Sequence, residues 1–255
     1  MVSIVMAVRD SLPFTKKGVA SILANTQCEF ELVIVDNGSG EDTVEFLQGI
    51  SDPRVRVIRS EENLGCAKGW NLGIRESRGE YVMVANNDIE VPPGWLTRLR
   101  EVLDSTRAAW VSPCMREGEF DYDFPAFHDQ FVRKFGDRIW EGQYRAVALF
   151  SKRSLYTEEL GMFDESYKFG TYEDEDYYWR IAESGRRSII TGSVLIHHYG
   201  GRTVSVQKRK TPKFIKENRR TFHRKWWKIY FRRKHRNRAL KAEMAAFEAE
   251  NGHKY

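Results

Sequence analysis

What most constrains this chain is an alternation, kept up over residues 2–112, of short apolar runs rich in β-branched residues with stretches patterned as helices. Val2-Ser-Ile-Val-Met-Ala-Val8 reads as a buried strand, because it is apolar almost throughout and stops at the charged, turn-forming Arg9-Asp10-Ser11. Pro13 suits the first turn of a helix reaching about Asn25. Glu31-Leu-Val-Ile-Val35 is a second buried strand, closed by Asp36-Asn37-Gly38-Ser39-Gly40, a turn cluster that leads into an amphipathic helix around Asp42 to Ile50. Val55 to Ile58 reads as strand, Cys66 to Ser77 as helix, and Tyr81 to Val84 as a fourth strand ending in Asn86-Asn87-Asp88. Strands separated by helices at this spacing imply right-handed crossovers and an α/β fold with a mostly parallel sheet. In such sheets ligands bind at the carboxyl ends of the strands, and two of those ends carry Asp36 and Asp88.

Further on, a helix is expected from about Pro93 to Asp104, with strands at Ala109 to Ser112 and Val147 to Ser151. Thr171 to Ser184 should contain a helix that begins inside an acidic cluster, and Ser188 to Ile190 and Val194 to His198 read as two apolar strands. Glu117 to Arg145 shows no clear periodicity and is expected to be a loop-rich insertion that helps form an acceptor site. A chain of 255 residues with 41% hydrophobic content can bury one sizeable α/β core. No apolar stretch approaches the roughly 18 residues of a spanning helix and no leader pattern opens the chain, so the expectation is a cytoplasmic protein. Cys28, Cys66 and Cys114 are widely spaced and odd in number, which suggests packing thiols rather than disulfides or a zinc site.

The net charge of +5 conceals an asymmetry. Residues 202–241 hold 17 Lys and Arg against the single acid Glu217, a local charge of +16, while residues 1–201 carry −9. Beyond Thr211 the pattern is helical, with Trp226, Trp227, Tyr230 and Phe231 among the cations. A basic helical tail on an acidic body points to a polyanion such as anionic lipid headgroups, nucleic acid or a phosphate-rich acceptor. Three readings of the tail stand together: a solvated helix packed through Phe222, Trp226 and Phe231, an amphipathic segment at an anionic membrane surface, or a nucleic-acid contact.

Several residues could carry chemistry. Asp36 can accept hydrogen bonds from a base or ribose, or can simply cap its own turn. Asp88, aided by Asn86, can ligate Mg²⁺ or Mn²⁺ on a diphosphate, since phosphates and water supply most of such a shell; Asn-Asn-Asp is also ordinary turn chemistry. Four successive acids, Glu173 to Asp176, open a helix and in part compensate its dipole. So much like charge in one place also raises at least one carboxyl pKa, which is how a general base is tuned. His197-His198 could add an imidazole to the metal or be structural.

The segments VSIVMAVRD from Val2, VIVDNGSGEDT, ENLGCAKGWNLGI, GEYVMVANNDIEVPPGWL, GMFDESY and YEDEDYYWRI, in that order, resemble the family 2 glycosyltransferases of the GT-A fold over about residues 1 to 205. The resemblance implies a Rossmann-like GT-A domain over 1–205, a basic helical extension over 206–255, and inversion of the anomeric centre in one displacement. It further implies that Asp36 contacts the nucleotide base and that Ala7 to Arg9 lie along the nucleoside. Asn63, Gly65, Lys68 and Asn71 match the loop and helix that close over the donor. Asn86, Asn87 and Asp88 occupy the position of the family's Asp-x-Asp metal motif with Asn in the first place, which leaves Asp88 as the main ligand of Mn²⁺ or Mg²⁺. Glu173 and Asp174 match the family's Glu-Asp pair, with Asp174 as base, and His198 fits the late metal-binding histidine better than His197.

The implied function is transfer of a sugar from a nucleoside-diphosphate sugar, UDP being favoured, to a hydroxyl of a cell-envelope glycan or lipid-linked saccharide. Attachment at the inner face of the membrane would suit such an acceptor. Glycosylation of modified nucleic-acid bases, and an inactive nucleotide-sugar or polyanion binder on the same scaffold, are the alternatives; the presence of both Asp88 and Asp174 weighs against the inactive binder.

Overall fold

The structure is a computed structural model that describes residues 1–200, 213–233 and 238–250; the side chains of 228–233 and 238–239 lie outside what it describes. The alternation read from the sequence is present: β1 (Val2–Val8), α1 (Leu12–Asn25), β2 (Phe30–Asn37), α2 (Glu41–Gln48), β3 (Val55–Ser60), α3 (Cys66–Glu76), β4 (Tyr81–Ala85), β5 (Ile89–Glu90) and α4 (Trp95–Thr106). There follow β6 (Trp110–Glu117), α5 (Phe124–Phe135), β7 (Ile139–Glu141), β8 (Ala148–Lys152), a π turn over Leu155–Glu159, α6 (Glu173–Glu183) and β9 (Ser188–His198). Two further helices, α7 (Lys213–Arg233) and α8 (Arg238–Glu250), come from the basic region.

One sheet runs in the order β3-β2-β1-β4-β8-β6-β9-β5, with β7 also paired to β9. The β3-β2-β1-β4 half is parallel, β8 enters antiparallel to both β4 and β6, and β9 is parallel to β6. The sheet is therefore mixed, yet β1, β2, β3, β4, β6 and β9 all point their carboxyl ends to the same edge. Period-two alternation divides the core: Ile4, Met6 and Val8 of β1 pack with Val19 and Ile22 of α1, Leu47 of α2 and Leu99 and Leu103 of α4. Val5 of the same strand faces the opposite layer, with Trp70 and Ile74 of α3 and Tyr177 and Ile181 of α6. Burial of both faces explains why β1, β2 and β4 are apolar runs rather than alternating ones.

Two sequence expectations need correction. The segment 117–145 is not loop-rich, since it contains α5 and β7. Asp123 accepts from the Ala126 N–H as N-cap, Pro125 sits in the first turn, and Phe124, Phe127, Phe131 and Phe135 recur at helical spacing on the buried side. The two late strands are a single strand, β9, whose register against β6 shifts where Pro113 pairs Thr191 and Cys114 pairs Leu195. Gly192 lies in that bulge because a Cβ there would meet the Phe135 carbonyl oxygen at 1.9 Å.

The described part of the basic tail packs on the domain. Phe222 and Trp226 of α7 are buried against Tyr167 and Trp179, and Leu240, Met244 and Phe247 of α8 join Phe127, Phe131 and Phe135 of α5. The side chain of Phe231 and the cations at 202–212 fall outside what the structure describes. Among the described residues no helix is long and apolar enough to cross a membrane.

Candidate active site

The carboxyl edge of the sheet is built by short-range lacing of strand ends. Ser39 donates its hydroxyl to the Val8 carbonyl and accepts from the Asp10 N–H, tying the end of β1 to the turn after β2. Asp36 is buried, with one oxygen accepting from the Ser39 N–H at 3.0 Å and the other from the Arg59 guanidinium at 2.6 Å. The turn-capping role is thus present, and Arg59 is a partner the sequence did not indicate. Asn37 clamps the loop before α3, accepting from the Leu64 N–H at 2.7 Å and donating to the Gly65 carbonyl at 3.2 Å. Asn63 accepts from the Gly65 N–H, and Gly65 has φ 81°, with only 2.7 Å between its notional Cβ and the Phe169 backbone. A side chain at Gly65 would therefore push apart α3 and the loop that precedes α6.

Of the remaining donor-side candidates, Ala7 packs against Gly69 of α3, Arg9 is half-buried and Lys68 is exposed on the first turn of α3. Asn71 is fully buried and bonded inside the chain: its amide donates to the Phe163 carbonyl and to Glu165, and accepts from the Phe163 N–H. Asn87 likewise donates to Thr15 at 2.7 Å, while Asn86 uses its N–H on the Val147 carbonyl.

Asp88 and His198 come together. The antiparallel pairing of β5 with the end of β9 brings Asp88 Oδ1 to 3.2 Å from His198 Nε2, with both side chains more than nine-tenths buried. The Tyr199 N–H bonds the Asp88 carbonyl and fixes the backbone of the pair. Neither imidazole nitrogen of His198 makes a hydrogen bond among the described residues. Its Nδ1 faces Glu117 Oε1 at 3.6 Å, so the ring stands between two carboxylates, an arrangement that orients metal-binding histidines. His197 points elsewhere: its Nδ1 meets the Tyr122 hydroxyl at 3.0 Å among aromatic rings, and burial holds its pKa down at about 4. No cluster of three or more His, Cys, Asp or Glu suited to a metal occurs among the described residues. The chain here offers one carboxylate and one imidazole, a set that fits an ion whose shell is completed by phosphates and water and suits Mn²⁺ better than Mg²⁺.

The acidic pair is tied to the loop before β8. The bond from Asn86 to Val147 brings the loop before β8 to the same edge, and from that loop the Tyr144 hydroxyl donates to Asp174 Oδ2 at 3.1 Å. Glu173 is 4% exposed, with one carboxyl oxygen lacking a hydrogen bond among the described residues. Burial, reinforced by the charge of Asp174, raises the Glu173 carboxyl to about 8. Burial likewise raises Asp174, and it raises Glu175 together with the charge of Asp174. Asp176 is a different kind of group, fully buried and held by the Tyr167 hydroxyl at 3.1 Å, Trp226 Nε1 at 2.8 Å and Lys225 Nζ at 2.8 Å. It anchors α7 rather than facing a substrate.

A carboxyl raised in the folded state binds its proton more tightly than in the unfolded chain, so stability is lost as pH rises from the ordinary value through the raised one. Glu173→Gln, which keeps the shape without the charge, should therefore be more stable than the parent at pH 8.5 by about 2 kcal/mol, with the gap closing toward pH 4.5. Melting curves of both proteins without ligand check this; a gap that does not depend on pH would contradict it.

Tyr144, Glu117 and Arg59 escaped the sequence reading. Their partners lie 23 to 81 positions away, and only the strand order brings them together.

The family model for glycosyl transferase family 2 matches residues 3–168. An uncharacterized protein, y4gI, of Sinorhizobium fredii is 28% identical over 222 residues, covering 78% of this chain and 24% of that protein. The succinoglycan biosynthesis protein ExoO of Rhizobium meliloti is 34% identical over 107 residues, 42% of this chain and 31% of its own length. An uncharacterized glycosyltransferase of Haemophilus influenzae is 20% identical over 88% of this chain and 74% of its own. The chain thus spans about a quarter to a third of the first two relatives. Among solved structures, GalNAc-T7 with UDP, GalNAc and Mn²⁺ superposes with a TM-score of 0.64 at 15% identity, over 78% of this chain and 44% of that one. TarS of S. aureus gives 0.62 at 15% identity, over 87% and 38%. At that identity the likeness is one of fold, the GT-A fold.

Proposed function

Because the chain belongs to glycosyl transferase family 2, with relatives in polysaccharide biosynthesis, we propose that it moves a sugar from a UDP-sugar to a hydroxyl of a growing glycan or lipid-linked saccharide, inverting the anomeric centre. The observation that carries the proposal is the buried Asp88–His198 pair, with an imidazole that has no hydrogen bond among the described residues, at the edge where Asp174 also lies. In this reading Asp88 and His198 would hold Mn²⁺, or Mg²⁺, which when bound would supply positive charge against the departing diphosphate. Asp174 takes the proton of the acceptor hydroxyl as that oxygen bonds the anomeric carbon and the sugar–phosphate bond breaks, releasing UDP. Tyr144 orients the Asp174 carboxylate, and Glu117 holds the His198 ring. Gly65, Asn63 and Asn37 shape the loop that closes on the donor, with Lys68 exposed where it can approach phosphate. UDP is favoured because two superposable structures, GalNAc-T7 and the TarS fragment 1–349, contain it.

A thermal-shift panel with UDP, GDP, dTDP and CMP, each with and without Mn²⁺, tests this. UDP at a hundredfold excess over its Kd should stabilise by about 2.7 kcal/mol, a rise of about 5 °C for a chain of this size, and only with the metal. A flat response to every nucleotide would overturn the donor assignment.

A further inference from the structure

Among the described side chains of α7, Phe214, Asn218, Phe222 and Trp226 fall in one helical line and meet one target, residues 164–179. Phe214 packs on Phe169 with ring centroids 5.2 Å apart, and Phe222 on Tyr172 at 5.2 Å. Between them Asn218, 2% exposed, accepts from the Lys168 N–H at 2.9 Å and donates to the carbonyls of Lys168, Gly170 and Thr171 at 2.9, 3.1 and 3.2 Å. Glu217 pairs with Lys168 at 2.9 Å, and Lys225 and Trp226 reach Asp164 and Asp176. Spacings of four residues from Phe214 through Asn218 to Phe222 and Trp226 put these groups on one face of the helix.

The target is a strained segment. Phe169, Thr171 and Tyr172 have φ of 59°, 81° and 73°, and none is glycine. A non-glycine residue in this left-handed region is strained and persists only where its surroundings over-determine it. Asn218 supplies that determination by filling the backbone hydrogen bonds that these turns leave open, while the Cys66 N–H bonds the Phe169 carbonyl from the other side at 2.9 Å. Tyr172 is the N-cap of α6, and Glu173 and Asp174 are the next two residues.

We infer that α7 is an internal brace for the catalytic loop and that Asn218 is a positioning residue, setting the backbone from which the Asp174 carboxylate is aimed. The helix is needed for turnover, and its outward cations Lys216, Arg220 and Arg224 take no part in that role. The inference rests on the proposed function only for the task given to Asp174; the brace itself can be read without any sugar transfer.

The test uses the full chain carrying Asn218→Ala, and Asn218→Asp, which keeps the volume and the acceptor for the Lys168 N–H but loses the donors. By hydrogen exchange, amides 168–173 should exchange at least about tenfold faster in both variants, with β1, β2 and β4 unchanged. With transfer assayed, kcat should fall about 100-fold while KM for the donor stays within about threefold, because misaim of the base leaves the donor site intact. Unchanged exchange at 168–173 in both variants would overturn the brace. Faster exchange with unchanged kcat would overturn the positioning role. If Asn218→Ala loosens the whole domain, Asn218→Asp decides. A parent protein that transfers nothing would count against the proposed function, leaving the exchange result to judge the brace.

Discussion

Asp174→Asn should bind UDP-sugar with metal as the parent does and transfer about 10³-fold more slowly, the middle of the range for loss of a general base. The substitution is nearly isosteric, and the new amide oxygen can still accept from the Tyr144 hydroxyl, so the local packing survives. What is lost is the ability to take a proton at the moment the acceptor oxygen bonds the anomeric carbon. Asp88 and His198 are untouched, which is why binding should persist. The parent's own profile carries a second mark of the same chemistry. Burial raises both Glu173 and Asp174, so the pair releases its first proton above the ordinary carboxylate range, and activity should climb with pH on the acid side as it does so. Steady-state transfer and nucleotide binding by Asp174→Asn, measured side by side, check the assignment; turnover within a few-fold of the parent would remove Asp174 as base.

Asp88→Ala should fail one step earlier. In Mn²⁺, its affinity for UDP should fall about 100-fold, or about 2.7 kcal/mol, and the metal-dependent part of the thermal shift should vanish. His198→Ala should act in the same direction. Alanine at either position removes half of the donor set that the chain offers here, and the survivor is left buried beside its missing partner. Chelation of the parent by EDTA should reproduce the loss and restored Mn²⁺ should reverse it. Full transfer in EDTA would take both residues out of a metal role. The two experiments separate cleanly, since one variant keeps binding and loses turnover while the other loses binding itself.

Much of the fold was legible because β1, β2 and β4 are buried on both faces, and burial writes itself as unbroken apolar runs such as Leu32 to Val35. The turn clusters after those runs located the strand ends, and with them Asp36 and Asp88, without any tertiary information. The segment 117–145 was misread because α5 advertises itself by four phenylalanines at helical spacing, which composition alone blurs into an aromatic loop. The single strand β9 was split in two because Gly192 and Ser193 look like a turn, whereas they form a bulge against α5. At the site, the candidate residues were readable from type and position. What each one touches was not: Asn71 and Asn87 are bonded within the chain, and Asn218 reads as an ordinary polar residue in a charged helix until its three carbonyl partners are seen.

Strand β9 pairs with β5, β6 and β7, and α5 packs on it. On a ribosome the β3-β2-β1-β4 half can close while synthesis is still under way, but β6 waits for its second neighbour, β9, until nearly 200 residues have emerged. His198 arrives with the last residue of that strand, so a nascent chain would hold Asp88 long before it held the imidazole beside it. Metal-binding competence would then report completion of the second half of the sheet, and a chain stalled before β9 would present β6 as an open edge prone to pair with another molecule.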